Sequence, residues 1–82
     1  MKAMDPKELK IGDDFVARNE CTAIDQRYIL ISEGKSSNGE KLYKCLMLRD
    51  WSGNAVVRTG EISILFLDGW AEKHGNNLFL TT

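Results

Sequence analysis

The sequence holds one proline, one histidine and two cysteines in 82 residues, and each shortage narrows what the chain can be. With one proline and seven glycines it has neither a collagen repeat nor the composition of a disordered chain. Cys21, Cys45 and His74 are the complete set of soft metal ligands, and no two lie close together in the chain. A structural zinc site takes four ligands, commonly in close pairs, so the expectation is no metal and no cofactor. The longest uncharged apolar stretch runs from Ile62 to Leu67, far below the ~20 residues of a membrane helix. The opening Met1-Lys2-Ala3-Met4-Asp5-Pro6 lacks the apolar centre of an export signal. These two absences lead to the expectation of a cytoplasmic protein that keeps Cys21 and Cys45 as thiols.

An excess of either charge is missing too. Eleven basic residues face twelve acidic ones, for a net charge of −1, whereas dedicated nucleic-acid binders carry a basic excess. The distribution is uneven, however. Between residues 27 and 58 stand six basic residues (Arg27, Lys35, Lys41, Lys44, Arg49 and Arg58) and three acidic ones. This segment reads first as a solvated strand face and second as a modest basic patch.

Catalytic signatures are equally sparse. Gly34-Lys35-Ser36 matches the end of a phosphate-binding loop, but the glycine required five residues earlier is replaced by Ile29. Cys21 with His74 is the sole nucleophile–base pairing available, and the local signatures of cysteine-nucleophile families are absent. Asp13 and Asp14 are adjacent carboxylates, and Asp13 is better read as closing a turn before the first strand. No catalytic residue is assigned, and the expectation is a protein that is not an enzyme.

What is present is a β pattern over one domain spanning 1–82, with an N-terminal segment 1–12 and a sheet body 13–82. Asp5 as a cap, Pro6 at the first helical position and Glu8 three residues after the cap predict one helical turn near residues 6–10, ended by Gly12. Strands are predicted from Phe15 to Thr22, Arg27 to Glu33, Glu40 to Arg49, Ala55 to Thr59 and Glu61 to Leu67. Asn38-Gly39, Asp50 to Asn54, Gly60 and Asp68-Gly69 supply the breaks. Trp70 to Lys73 and Leu78 to Thr81 are expected to pair across His74-Gly75-Asn76-Asn77. The expected fold is mainly β, a small five- to six-stranded antiparallel barrel or sandwich with one short N-terminal helical turn.

Two strands are apolar on both sides. In the 40–49 strand, Leu42, Leu46 and Leu48 alternate with Tyr43, Cys45 and Met47. In the 61–67 strand, Ile62, Ile64 and Phe66 alternate with Leu65 and Leu67. Strands of this kind are covered on both faces. The cover comes from the N-terminal turn, the C-terminal hairpin, a second copy or another partner, and the pattern does not say which face is inside. Trp51 stands in a turn, where an aromatic side chain is either an interface anchor or a plug over the barrel mouth, while Trp70 is expected in the core.

The resulting expectation is a non-enzymatic module that binds another protein or a second copy of itself. Its contacts would be Trp51, Tyr43, Met47, Arg49 and Arg58. The alternative is weak nucleic-acid binding through Arg27, Tyr28, Lys41 and Lys44, with aromatic rings stacking on bases and cations following phosphates.

Overall fold

A computed structural model describes residues 2–19, 21–73 and 78–81 of the chain. Strands β1 (Lys2–Ala3), β2 (Asp14–Asn19), β3 (Ile24–Lys35), β4 (Lys41–Arg49), β5 (Ala55–Ser63) and β6 (Leu78–Leu80) form one antiparallel sheet in the order β1-β6-β2-β3-β4-β5. The mainly β class read from the sequence holds. The sheet stays open, with β1 and β5 at its two edges.

The first turn forms as its residues dictate. The Asp5 carboxylate accepts a hydrogen bond from the Lys7 N–H at 2.9 Å, and Pro6–Glu8 make one 3-10 turn. Gly12 follows with φ of 95°, a left-handed geometry open to glycine. The Asp13 carboxylate accepts from the Lys10 N–H at 2.9 Å and closes the approach to β2.

The predicted break at Gly60 does not occur. One strand runs through it from Ala55 to Ser63, and Ile64–Lys73 is helix α1. The expected 61–67 strand is therefore strand for three residues only, and Trp70 to Lys73 is helical. The helix starts where the Ser63 hydroxyl accepts from the Phe66 N–H at 3.0 Å, a side-chain cap on an otherwise unsatisfied donor. Ile64, Leu67 and Ala71 recur at helical spacing and point inward, Leu67 and Ala71 fully so. Leu65 and Phe66 face outward. The proposed last hairpin is replaced by pairing of β6 with β2 and β1, and its turn, residues 74–77, lies outside the described residues.

Side-chain alternation on β4 settles which face is inside. Tyr43 and Cys45 are buried, Lys44 between them is exposed, and Leu42, Leu46 and Leu48 on the opposite face are half-buried. Met4, Leu9, Phe15, Leu30, Leu67 and Leu78 complete the core around Tyr43 and Cys45. The N-terminal segment and α1 thus cover the Tyr43 face, with α1 packed on the 3-10 turn, β4 and β5. Phe15 opposes Tyr28 across the β2–β3 ladder, their rings 5.4 Å apart and nearly parallel. Trp70 is half-buried against this core.

The opposite face is held by a different chemistry. Arg27 pairs with Asp14 through two hydrogen bonds of 3.0 and 2.5 Å, and Arg18 with Asp25 through two of 2.7 and 3.1 Å. Both pairs join β2 to β3 and lie on either side of Val16, which is buried. The Arg18 guanidinium also lies 5.1 Å from the centre of the Phe79 ring.

Candidate functional site

The β4–β5 hairpin builds the most exposed aromatic position. The Asp50 carboxylate accepts from the Ser52 and Asn54 N–H groups at 2.9 and 3.0 Å, and Gly53 takes φ of 84°. This side-chain-closed turn holds Trp51 outward at 62% exposure while Asp50 itself is buried. Arg58 returns along β5 to the same place. Its guanidinium lies 3.7 Å from the Asp50 carboxylate and 6.0 Å from the centre of the Trp51 ring. The pairing restrains an otherwise mobile cation beside an aromatic face.

Beneath this hairpin the core face is only partly covered. The N-terminal segment and α1 roof one end, over Tyr43 and Leu30. Toward the β5 edge an open groove of about 520 Å³ remains. Its floor includes Tyr28, Cys45 and Met47, Trp51 and Arg58 stand at the hairpin end, and Phe66 of α1 forms a wall. Burial shapes the chemistry of the floor. Desolvation pushes the Tyr28 phenol up to about 12 and the Cys45 thiol up to about 11, so both are neutral near pH 7. The Tyr28 hydroxyl donates to the Gln26 side-chain carbonyl at 2.6 Å.

The groove floor owes its depth to Gly60. In the β4–β5 ladder Gly60 stands opposite Cys45, between Arg58 opposite Met47 and Ile62 opposite Tyr43. Directly opposed residues of an antiparallel pair share a face, so Arg58, Gly60 and Ile62 belong to the core face. A Cβ placed on Gly60 would have no atom within 4 Å.

The residues expected at a contact surface separate accordingly. Trp51 and Arg58 come together with Met47, which is half-buried. Arg49 is exposed at the end of β4 and lies near enough to Asp25 to help hold its carboxyl below the usual range. Tyr43 does not belong with them. It is completely buried and its hydroxyl lies 3.4 Å from the Pro6 carbonyl. Covering by the N-terminal turn makes it a core residue.

The nucleic-acid alternative is dispersed in the same way. Tyr28 is buried, its ring stacked on that of Phe15. Arg27 is held by Asp14. Lys41 lies 3.5 Å from the Glu33 carboxylate and 5.1 Å from the centre of the Tyr43 ring. Lys44 is exposed.

Other chemistry finds no assembled group. Cys21 is an exposed thiol and Cys45 a buried one, and His74, the base paired with Cys21 in the sequence reading, lies outside the described residues. Among the described residues no three His, Cys, Asp or Glu side chains gather as metal ligands, and no helix is long and apolar enough to cross a membrane.

Phe66 and Gly60 are the site residues that sequence reasoning missed. The available signal was Ser63 as a helix cap followed by Ile64, Leu67 and Ala71 at helical spacing, which turns Phe66 outward. No family model, curated protein or solved structure matches this chain.

Proposed function

We propose that this domain is a non-enzymatic docking module that binds another protein through the groove between the β4–β5 hairpin and α1. The observation that supports this reading is the groove itself: an apolar floor rimmed by exposed Trp51 (62%) and Phe66 (56%), with the Arg58 guanidinium beside them. Aromatic residues and arginine are the side chains that most often dominate binding energy at protein interfaces. A volume of this size also accepts one or two large apolar side chains. The thiols Cys21 and Cys45 suit a cytoplasmic setting, where we place the protein.

Trp51→Ala tests the reading. Trp51 contributes little to the core, so the variant keeps its melting temperature within a few degrees while capture of partner proteins is lost. Unchanged capture removes the groove as the contact surface. Solution molar mass across a hundredfold concentration range then separates the two kinds of partner. A dimer that Trp51→Ala dissociates makes the partner a second copy, and a monomer makes it a different protein.

A further inference from the structure

The edge of the sheet beside the groove specifies more than a hydrophobic contact. β5 is nine residues long and hydrogen-bonds only to β4 among the described residues. Its other side is a row of unpaired backbone groups, alternating along the strand. Sheet edges are ordinarily blunted by charged side chains, lysine above all, by proline, by bulges or by shortness. β5 carries two charges, Arg58 and Glu61, but no proline or lysine, it is as long as β4, and Val57 on it is 80% exposed. An added strand would lie ~4.8 Å beyond β5, with alternate side chains ~6.8 Å apart on the core face.

Resting on the docking role above, we propose that the occupant is an extended segment of a partner protein that pairs antiparallel with β5. It places a large apolar side chain over Gly60 and an acidic one against Arg58. The space above Gly60 carries the first requirement. With no atom within 4 Å of a Cβ there, a bulky side chain from the neighbouring strand leans across the glycine onto Cys45 and Met47, the cross-strand arrangement in which an aromatic ring covers a glycine. Charge complementarity carries the second. Arg58 reaches Asp50 at 3.7 Å through one terminal nitrogen, and its side chain remains 56% exposed. A guanidinium has five N–H donors, so it accepts a second carboxylate. In an antiparallel partner the residue facing Gly60 comes first and the residue facing Arg58 comes two later. The recognised pattern is therefore large apolar, any residue, acid.

The experiment uses synthetic peptides of about ten residues in a Thr/Val background that carry Phe-x-Glu, Phe-x-Lys or Ala-x-Glu at the centre. Binding to the full chain is followed by fluorescence anisotropy to about 1 mM, with amide hydrogen exchange on the complex. The Phe-x-Glu peptide is expected to bind at least ~10-fold more tightly than either of the others and to slow exchange along Ala55–Ser63. Arg58→Glu is expected to reverse the preference to Phe-x-Lys. Gly60→Val, which closes the floor without strain in the strand, is expected to abolish binding while its circular dichroism and melting curve stay those of the parent. Gly60→Ala, which adds only the Cβ, provides a second variant that weakens binding less.

Several results would overturn the inference: no peptide binding at 1 mM, equal affinity for Phe-x-Glu and Phe-x-Lys, binding that survives Gly60→Val, or protection away from β5. A molar mass of two chains with β5 already protected would assign the edge to a second copy and overturn it as well. If partner capture still depends on Trp51 in those cases, the docking role stands and strand pairing alone falls. If capture ignores Trp51, the docking role falls independently of the peptides.

Discussion

Gly60 stands directly opposite buried Cys45 in the β4–β5 ladder, and a Cβ on the glycine would meet no atom within 4 Å. Most of the core face is roofed by the N-terminal segment and α1, and at this pair the roof stops. The result is an apolar floor inside the fold that remains reachable from the sheet edge. The hairpin at Trp51 and the helix at Phe66 are the two walls that a partner meets first.

The two faces of the sheet are expected to differ in energy, Leu30 of β3 reporting on the core face and Leu46 of β4 on the other. Leu30→Ala, opposite Cys45 and fully buried, should cost ~2–5 kcal/mol of unfolding free energy. Leu46→Ala on the half-buried face should cost nearer ~1 kcal/mol. Urea unfolding of the two variants measures both, and equal costs would show that the second face is buried as deeply as the first.

Asp50 is expected to hold the hairpin. Asp50→Ala removes the acceptor for the Ser52 and Asn54 N–H groups and the partner of Arg58, a loss of ~1–3 kcal/mol. Asp50→Asn keeps one acceptor oxygen and should recover part of it. Trp51 fluorescence should shift toward that of a freely solvated indole in Asp50→Ala, and an unchanged spectrum would mean the turn holds without its side-chain bonds.

Stability is expected to fall at both ends of the pH range. Hydrogen bonds from Arg27 and Arg18 hold the Asp14 and Asp25 carboxyls below their ordinary 3.8. Their folded values lie below the unfolded ones, so this contribution is complete above about pH 4 and is lost as pH falls through the folded values. Burial raises Cys45 from 9.0 to about 11 and Tyr28 from 10.0 to about 12. Their contribution is complete below about pH 9 and is lost as pH climbs from there to about 12. Melting temperatures across that range should form a plateau with two shoulders, and the pair Asp14→Asn with Asp25→Asn should flatten the acid one.

The two thiols are expected to separate cleanly. A thiol with pKa about 11 is ~0.1% ionised at pH 8, and Cys45 is in addition buried. An aromatic disulfide reagent should therefore modify exposed Cys21 quickly and Cys45 only on unfolding, and Cys21→Ser should remove the fast phase. Rapid modification of both in the native protein would mean that the groove floor opens to solvent more often than its burial implies.

Local chemistry was legible in the sequence wherever it acts over a few residues. The cap at Asp5, the turns at Asn38-Gly39 and Asp50 to Asn54, and the strand character of 41–49 depend on neighbours in the chain, and they formed as read. Residues 61–73 were misread because Ile62 to Leu67 fits strand and helix alike when taken alone. The cap at Ser63 and the packing of Leu67 and Ala71 under the N-terminal turn decide for helix. Which face of β4 lies inside was undecidable from alternation, since both faces are apolar and alternation carries no sign. Only the arrival of Met4, Leu9 and α1 on the Tyr43 side made that face the core. The sequence by itself determined the class and the turns at Asp5, Asn38-Gly39 and Asp50 to Asn54, whereas Asp68-Gly69, read as a turn, lies inside α1 and the direction of Trp51 stayed open. Tertiary structure alone decided that Tyr43 is core, that Arg58 returns to Trp51, and that Gly60 opens a groove, because each depends on residues distant in the chain meeting across the sheet.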